Sequence, residues 1–371
     1  MAIFAIEKTL EAKYKEDPTT FPDPSCNYFS RYDTALGKLR PIYRTINAGM
    51  ALLSSPQGLF TDHGEDHFDE VIRYLGEIIP SEQVTTKGRI KPYELFVILM
   101  AARIHDVGNA EGRSEHEKYC FDTLCKISDG NDTLERNLIA SIAQAHGGKS
   151  LRGTSDTIGD IPPARGTNST AIDARMCAAL VRIADEICEN RSRAFNSVNF
   201  TNEILKGNEI YHTYASCITL CAFSQDDRHL TINIDVPVEV LAKRFTKHGT
   251  VQQELLLIEE IATRLQKLDL ERKYCNNYLP HELKIRGINV VISAYKSEPT
   301  KDGRELPLRL IEITKHDFED GGYPVPSSKL TDLWPEIDPK KFKALVEDKF
   351  QAPRGNVQDK KWFERLFGKG E

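Results

Sequence analysis

The segment "YELFVILMAARIHD" (residues 93–106) constrains the fold more than any other. It is apolar nearly all round, so as a helix it has no face for water and must be the central, buried one. A charged pair at the end of such a helix needs a cause. His105 and Asp106 close it, Gly108 follows, and His116 comes next.

A buried helix needs neighbours, and the flanking sequence supplies them. "DHFDEVIRYLGEII" (66–79) puts His67, Val71, Leu75 and Ile78 on one stripe at helical spacing. "SEHEKYCFDTLCKI" (114–127) opens with Ser114 and carries Glu117 three residues on, the pattern of a capping box. "TLERNLIASIAQAH" (133–146) is amphipathic and stops at Gly147-Gly148. "AIDARMCAALVRIADEICENRSR" (171–193) is helical again. Residues 1–62 read as helical and then loop-like, with Pro41 better suited to a first turn than to a helix interior.

The pattern changes after about residue 196. "SCITLCAF" (216–223) and "HLTINIDV" (229–236) alternate like strands, as do "GINVVISAY" (287–295) and "LRLIEI" (308–313). Between the pairs, "VQQELLLIEEIATRLQKLDLERKY" (251–274) reads as one long amphipathic helix, and polar helical segments end the chain. The expected architecture is mainly α: a helical segment at 1–59, a helical bundle with a metal site at 60–195, and a smaller α+β domain at 196–371.

Composition removes several function classes. With 371 residues, 40% hydrophobic and 28% charged, the chain is long enough for more than one core. No apolar run reaches the roughly 18 residues of a membrane span. A net charge of −6 leaves no nucleic-acid footprint. The eight cysteines form no CxxC pair and mostly sit in apolar periodic stretches, so they read as reduced core thiols of a cytoplasmic protein. A homo-oligomer is compatible with this composition. "AHGGKS" ends like a P-loop, but Ala143 stands where that motif needs glycine, and a helix rather than a strand precedes it.

The polar residues on these helices fall into one set: His63, His67, His105, Asp106, His116, His146 and Asp185. Imidazole and carboxylate together suit Mn, Fe, Co, Zn or Mg. His67, the adjacent pair His105 and Asp106, and Asp185, from different helices, can converge on one divalent ion as bundle-core sites do. Buried without an ion, two carboxylates against apolar helices would cost several kcal/mol. His116 and His146 either complete a second metal site or touch substrate phosphate. His63 is a ligand, a catalytic acid or a loop anchor.

The order H…HD…H…H…D in "DHGEDHFDEV", "RIHDVGN", "SEHEKY", "AQAHGG" and "RIADEI" resembles the HD-domain superfamily of metal-dependent phosphohydrolases, over about residues 60–195. The resemblance implies an enzyme with one or two divalent ions per chain. It assigns His67, His105, Asp106 and Asp185 to the metal and makes His63, His116 and His146 the candidates for proton transfer. A metal-activated water would attack a nucleotide phosphate. The favoured substrate is a deoxynucleoside triphosphate. The alternatives are a phosphodiesterase on cyclic or oligomeric nucleotides and an inactive nucleotide-binding sensor. Arg103, Lys149, Arg152 and Arg165 are candidates to hold phosphate. The last three lie on the loop 147–170, whose composition builds no core and which is expected to close over substrate as a mobile lid.

Overall fold

The computed structural model describes residues 4–53, 61–112, 116–128, 132–148, 153–162, 165–167, 170–194, 207–247, 253–299, 305–319 and 329–351. Its first part is helical: α1 (Ala5–Glu16), α2 (Tyr28–Leu53), α3 (Glu65–Ile78), α4 (Pro92–Ile104), α5 (Cys120–Ile127), α6 (Thr133–Gln144) and α7 (Ala174–Glu186), with a small hairpin of β1 (Arg165–Thr167) and β2 (Thr170–Ile172) ahead of α7. The second part runs α8 (Glu209–Cys217), β3 (Ile218–Ser224), β4 (His229–Pro237), β5 (Arg244–Lys247), β6 (Gln253–Leu256), α9 (Leu257–Asn276), β7 (Gly287–Pro299), β8 (Glu305–Phe318), α10 (Leu330–Leu333) and α11 (Pro339–Gln351). The architecture is mainly α with a smaller α+β part, as expected from the sequence.

Every residue of α4 is buried, which places this helix at the centre. Pro92 opens it, where a missing N–H costs nothing. The Glu94 carboxylate accepts from the backbone N–H groups of Lys91 and Asp173, each at 2.8 Å. Asp173 in turn caps α7 by accepting from Met176 N–H at 3.0 Å. One carboxylate thus pins the starts of α4 and α7 side by side, and both helices then run towards the polar cluster.

Four strands form one sheet in the order β3-β4-β7-β8. The outer pairs are antiparallel and β4–β7 is parallel, so α9 serves in the crossover between them. Leu230, Ile232, Ile234 and Val236 of β4, with Ile288, Val290, Ile292 and Ala294 of β7, supply the buried face. The sheet part is fastened to the helical part by directional bonds. Tyr74 of α3 donates to the Cys221 carbonyl at 2.9 Å, and Arg182 of α7 makes a two-pronged pair with Glu271 of α9 at 2.7 and 2.8 Å.

Three expectations need correction. Pro41 lies inside α2 rather than at a start. It and Gly37, whose carbonyl it leaves without an N–H, are both exposed, so water can take the freed acceptor. The first residues of the expected long helix form β6, which pairs with β5 instead. The described part of the 147–170 loop also has a core of its own. Ile158 and Ile161 are buried, Ile158 N–H donates to the Tyr274 hydroxyl at 3.1 Å, and Asp156 accepts from Tyr274 and Tyr278 at 2.8 and 2.9 Å. The Ser114–Glu117 capping box falls partly outside the described residues, and a short 3-10 turn (His116–Tyr119) leads into α5.

Candidate metal centre

The chain turns sharply after α4, and glycine makes the turn fit. A Cβ at Gly108 would meet the His116 carbonyl at 1.9 Å, and one at Gly49 of α2 would meet the Ala110 carbonyl at 2.2 Å. Only bare backbone allows the segment 107–111 to sit between α2 and the His116 turn. That brings His116 back beside Asp106.

Asp106 is the hinge of the cluster. Its Oδ2 lies 2.8 Å from His63 Nδ1, 3.6 Å from His67 Nε2 and 3.8 Å from His105 Nε2. Its Oδ1 lies 2.8 Å from His116 Nε2 and 3.4 Å from His146 Nε2. Asp185, at the end of α7, puts Oδ1 3.3 Å from His67 Nε2 and 3.5 Å from His105 Nε2. The remaining close approaches are imidazole to imidazole: His67 Nε2 to His105 Nε2 at 3.3 Å, and His116 Nε2 to His146 Nε2 at 3.2 Å. All seven residues proposed from the sequence therefore meet in one place.

The far nitrogens decide what the near ones can do. His105 Nδ1 donates to the Ala102 carbonyl at 2.8 Å, and His146 Nδ1 donates to the Ala143 carbonyl at 2.6 Å. Both side chains reach back three residues to a carbonyl at a helix end. His67 Nδ1 faces the Cys188 thiol at 3.5 Å, and His116 Nδ1 faces Glu117 at 3.4 Å. With protons placed on the outer nitrogens, the Nε2 lone pairs point at each other and at two carboxylates. Lone pairs facing lone pairs in a buried site demand a cation. Three donor triads have the necessary proximity: His63, His67 and Asp106; His67, His105 and Asp185; and Asp106, His116 and His146.

Without an ion, a proton takes the cation's place. Burial would lower His105, but the Asp106 and Asp185 charges outweigh it and raise the imidazole to about 9. Burial, with the Arg193 charge, lowers His67. Burial would raise both carboxyls, yet the His105 charge and the bonds from the surrounding imidazoles hold Asp106 and Asp185 well below the usual range. The carboxylates are thus kept ionised, as metal ligands must be.

A cavity of about 390 Å³ opens onto the cluster. Asp106, His116, His146 and Asp185 form one side of it. The other side is built from residues the sequence reading did not single out: Glu189 and Arg193 after α7, Tyr211 and Tyr214 of α8, and Arg264 and Lys267 of α9. Arg193 is buried and donates to the Cys188 carbonyl at 3.0 Å and to the Asp62 carbonyl at 3.2 Å. Its second terminal nitrogen lies 3.2 and 3.3 Å from the two ring nitrogens of His63, and the 2.8 Å approach of Nδ1 to the ionised Asp106 puts the His63 proton on Nδ1.

The phosphate-binding expectations fare differently. Arg103 does not reach the cavity. It points to the opposite side of α4, where it donates to Tyr32, Asp69 and Glu7 at 2.9, 2.5 and 2.8 Å. It lies two positions before His105, and on a helix that turns a side chain almost to the opposite face. Lys149 and Arg152 lie outside the described residues. Arg165 falls in β1, and its side chain is likewise outside them. Of the remaining histidines, His212 is buried, and His316, followed by Asp317, stacks on Trp334 with centroids 5.0 Å apart.

Comparison with known proteins gives one match. The family model HD-CE covers residues 58–284, more than half of the chain. No curated protein and no solved structure matches it.

Proposed function

The chain belongs to the HD-CE family, and from that premise we propose that it is a metal-dependent phosphohydrolase acting on a nucleotide, with two divalent ions held on either side of Asp106. The observation that carries this reading is the division of the Asp106 carboxylate, one oxygen towards His67 and His105 and the other towards His116 and His146. Asp106 would thus offer one ligand oxygen to each set of inward lone pairs. In this reading His67, His105 and Asp185 complete one ion's ligands, and His116 and His146 complete the other's. Residues 60–195 form the catalytic unit, 1–59 support it, and 196–371 supply the far wall of the cavity.

When bound, the ions would supply Lewis acidity, polarising a phosphoryl oxygen and making a water acidic enough to act as nucleophile. The chain's own residues orient and select. His63 holds Asp106 through its Nδ1 proton and is itself held by Arg193, so it takes the anchoring role among its three options. Arg193, Arg264 and Lys267 replace Arg103 as the cations nearest the substrate. Arg193 faces the cluster from a buried position, where a phosphate gains most from a guanidinium. The α8–α9 wall limits the space for water around the reacting group.

A deoxynucleoside triphosphate remains one substrate class. The second set of donors favours the other, a phosphodiester, since paired ions can stabilise both the attacking and the leaving oxygen of an in-line displacement. A panel of cyclic, oligomeric and triphosphate nucleotides, with products resolved by mass, decides between them. A linear monophosphate supports the diesterase and tripolyphosphate with nucleoside supports the triphosphohydrolase. Tight binding with no turnover at saturating metal would sink both and leave the nucleotide-binding sensor.

A further inference from the structure

The metal cluster accounts for one end of the cavity. The opposite end is flat, aromatic and cationic. Tyr211 and Tyr214 lie three residues apart on α8 and so share a face. The guanidinium carbon of Arg264 sits 4.9 Å from the Tyr211 ring centroid and 5.7 Å from that of Tyr214. Two carboxylates fix the guanidinium: Glu189 accepts from it at 3.2 Å and the buried Glu260 at 2.9 Å. Both rings, Arg264 and Glu189 line the same cavity as Asp106 and Asp185.

We propose that the Arg264–Tyr211 pair is a stacking subsite for the base of a nucleotide whose phosphate faces the Asp106 cluster. This rests on the phosphohydrolase reading for the phosphate end, and on the α8–α9 geometry for the base end. The Arg264 guanidinium, planar and weakly hydrated, lies beside the Tyr211 ring, and the two together offer surfaces on which any heteroaromatic base can stack. Its carboxylate partners hold the plane before the ligand arrives, so little ordering is lost on binding. A cavity of about 390 Å³ falls at the small end of the range for small-molecule sites, which suits a mononucleotide unit. Stacking is tolerant of base identity, so the subsite selects for a nucleotide over a bare phosphate rather than for one base.

The test measures equilibrium binding of dGMP, dTMP and inorganic phosphate to the full chain in Mn²⁺ buffer, with hydrolysis of dGTP, cyclic mononucleotides and cyclic dinucleotides as a separate readout. Wild-type protein is expected to bind both mononucleotides about tenfold more tightly than phosphate, the scale of one stacked base. Tyr211→Leu keeps the apolar volume and loses the ring, and it should erase that tenfold preference while leaving phosphate binding unchanged. Tyr211→Phe should keep it. Mononucleotides that bind no better than phosphate, or a Tyr211→Leu variant that keeps the full preference, overturn the subsite. The two readings fail separately. A protein that hydrolyses none of dGTP, cyclic mononucleotides and cyclic dinucleotides but keeps a Tyr211-dependent preference for mononucleotides loses the phosphohydrolase reading and retains the subsite.

Discussion

Arg103 and His105 stand two residues apart at the end of one helix, both buried, and face opposite chemical surroundings. On the Arg103 side every polar contact is a donor meeting an acceptor. The guanidinium donates to Glu7, Asp69 and the Tyr32 hydroxyl, and that hydroxyl donates on to Glu7. On the His105 side acceptor faces acceptor, with Nε2 lone pairs of His67 and His105 against carboxylate oxygens of Asp106 and Asp185. The first arrangement is complete within the chain and can only hold things together. The second is incomplete until a cation enters. Burial of charge alone does not mark a site; the mismatch of hydrogen-bonding roles does.

The largest expected effect separates the two sides directly. Asp106→Ala removes the group shared by both donor sets. It should release bound metal and lower activity by more than about 10³-fold, with the fold retained. Arg103→Met does the reverse. It leaves Glu7 buried with an unpaired charge, which costs about 3–5 kcal/mol of stability, while metal content per folded chain stays at the wild-type value. Elemental analysis and denaturant unfolding of the two variants check this. An Arg103→Met protein that folds normally but loses substrate affinity would restore Arg103 as a phosphate ligand.

The same contrast explains what was legible beforehand. The histidines and aspartates stood out because they interrupt apolar helical stripes, and helix periodicity then puts them on inward faces. The four principal strands were legible from alternation. The direction of Arg103 was not, because an arginine at the end of a buried helix suits either face until α1 is seen to bring Glu7 to it. Arg193, Tyr211, Arg264 and Lys267 were also hidden. Each belongs to an ordinary-looking polar or amphipathic stretch; the crossover that lays α9 against α7 brings Arg264 and Lys267 to the cavity, and α8, packed on α9, brings Tyr211. The β5–β6 pairing was missed for a similar reason. "QELL" is a good helix start by composition, and a partner strand overrides it.

The next prediction sharpens the description of the incomplete side. If Asp106 divides two donor sets, His146→Ala should lower metal content from about two ions per chain to about one, and reduce kcat by about 10²-fold. Unchanged metal content with a raised KM would instead make His146 a phosphate contact, and the site mononuclear.

A smaller effect concerns the shell behind His67. Its Nδ1 has no backbone carbonyl but faces Cys188 Sγ at 3.5 Å, and that thiol faces Glu70 at 3.4 Å. The thiol is a soft acceptor that orients the ring. Cys188→Ala should weaken metal binding by about tenfold, the low end for loss of a ligand's outer partner, and Cys188→Ser should recover most of it. Competition with a fluorescent chelator measures both. Equal affinities in all three proteins would show that packing alone orients His67.

The smallest expected effect is one of pH, and it appears only when the cation is taken away. In chelated protein the His105 imidazole is raised from 6.5 to about 9 by the two carboxylates, so it is protonated in the fold when the unfolded chain has already lost that proton. Its stabilising contribution is fully present below about pH 6.5 and is lost as pH rises through about 9. His67 is shifted the other way by burial, so its contribution is lost as pH falls below 6.5. The contributions of these two imidazoles together are greatest near pH 6.5, and the loss of the His105 share should lower the melting temperature of the chelated protein by several degrees towards pH 9. Metal should flatten that slope, because an ion supplies the positive charge that the His105 proton supplies without it, and its apparent affinity should rise over the same interval as the competing proton leaves. The Arg103 guanidinium and the Tyr32 hydroxyl beside it are both raised well above their ordinary values, so Arg103→Met in chelated protein should lower the whole curve and leave its slope between pH 6.5 and 9 untouched. A parallel slope with and without metal would mean that the facing lone pairs of His67 and His105 are satisfied within the chain after all, and the contrast between the two sides of α4 would lose its physical basis.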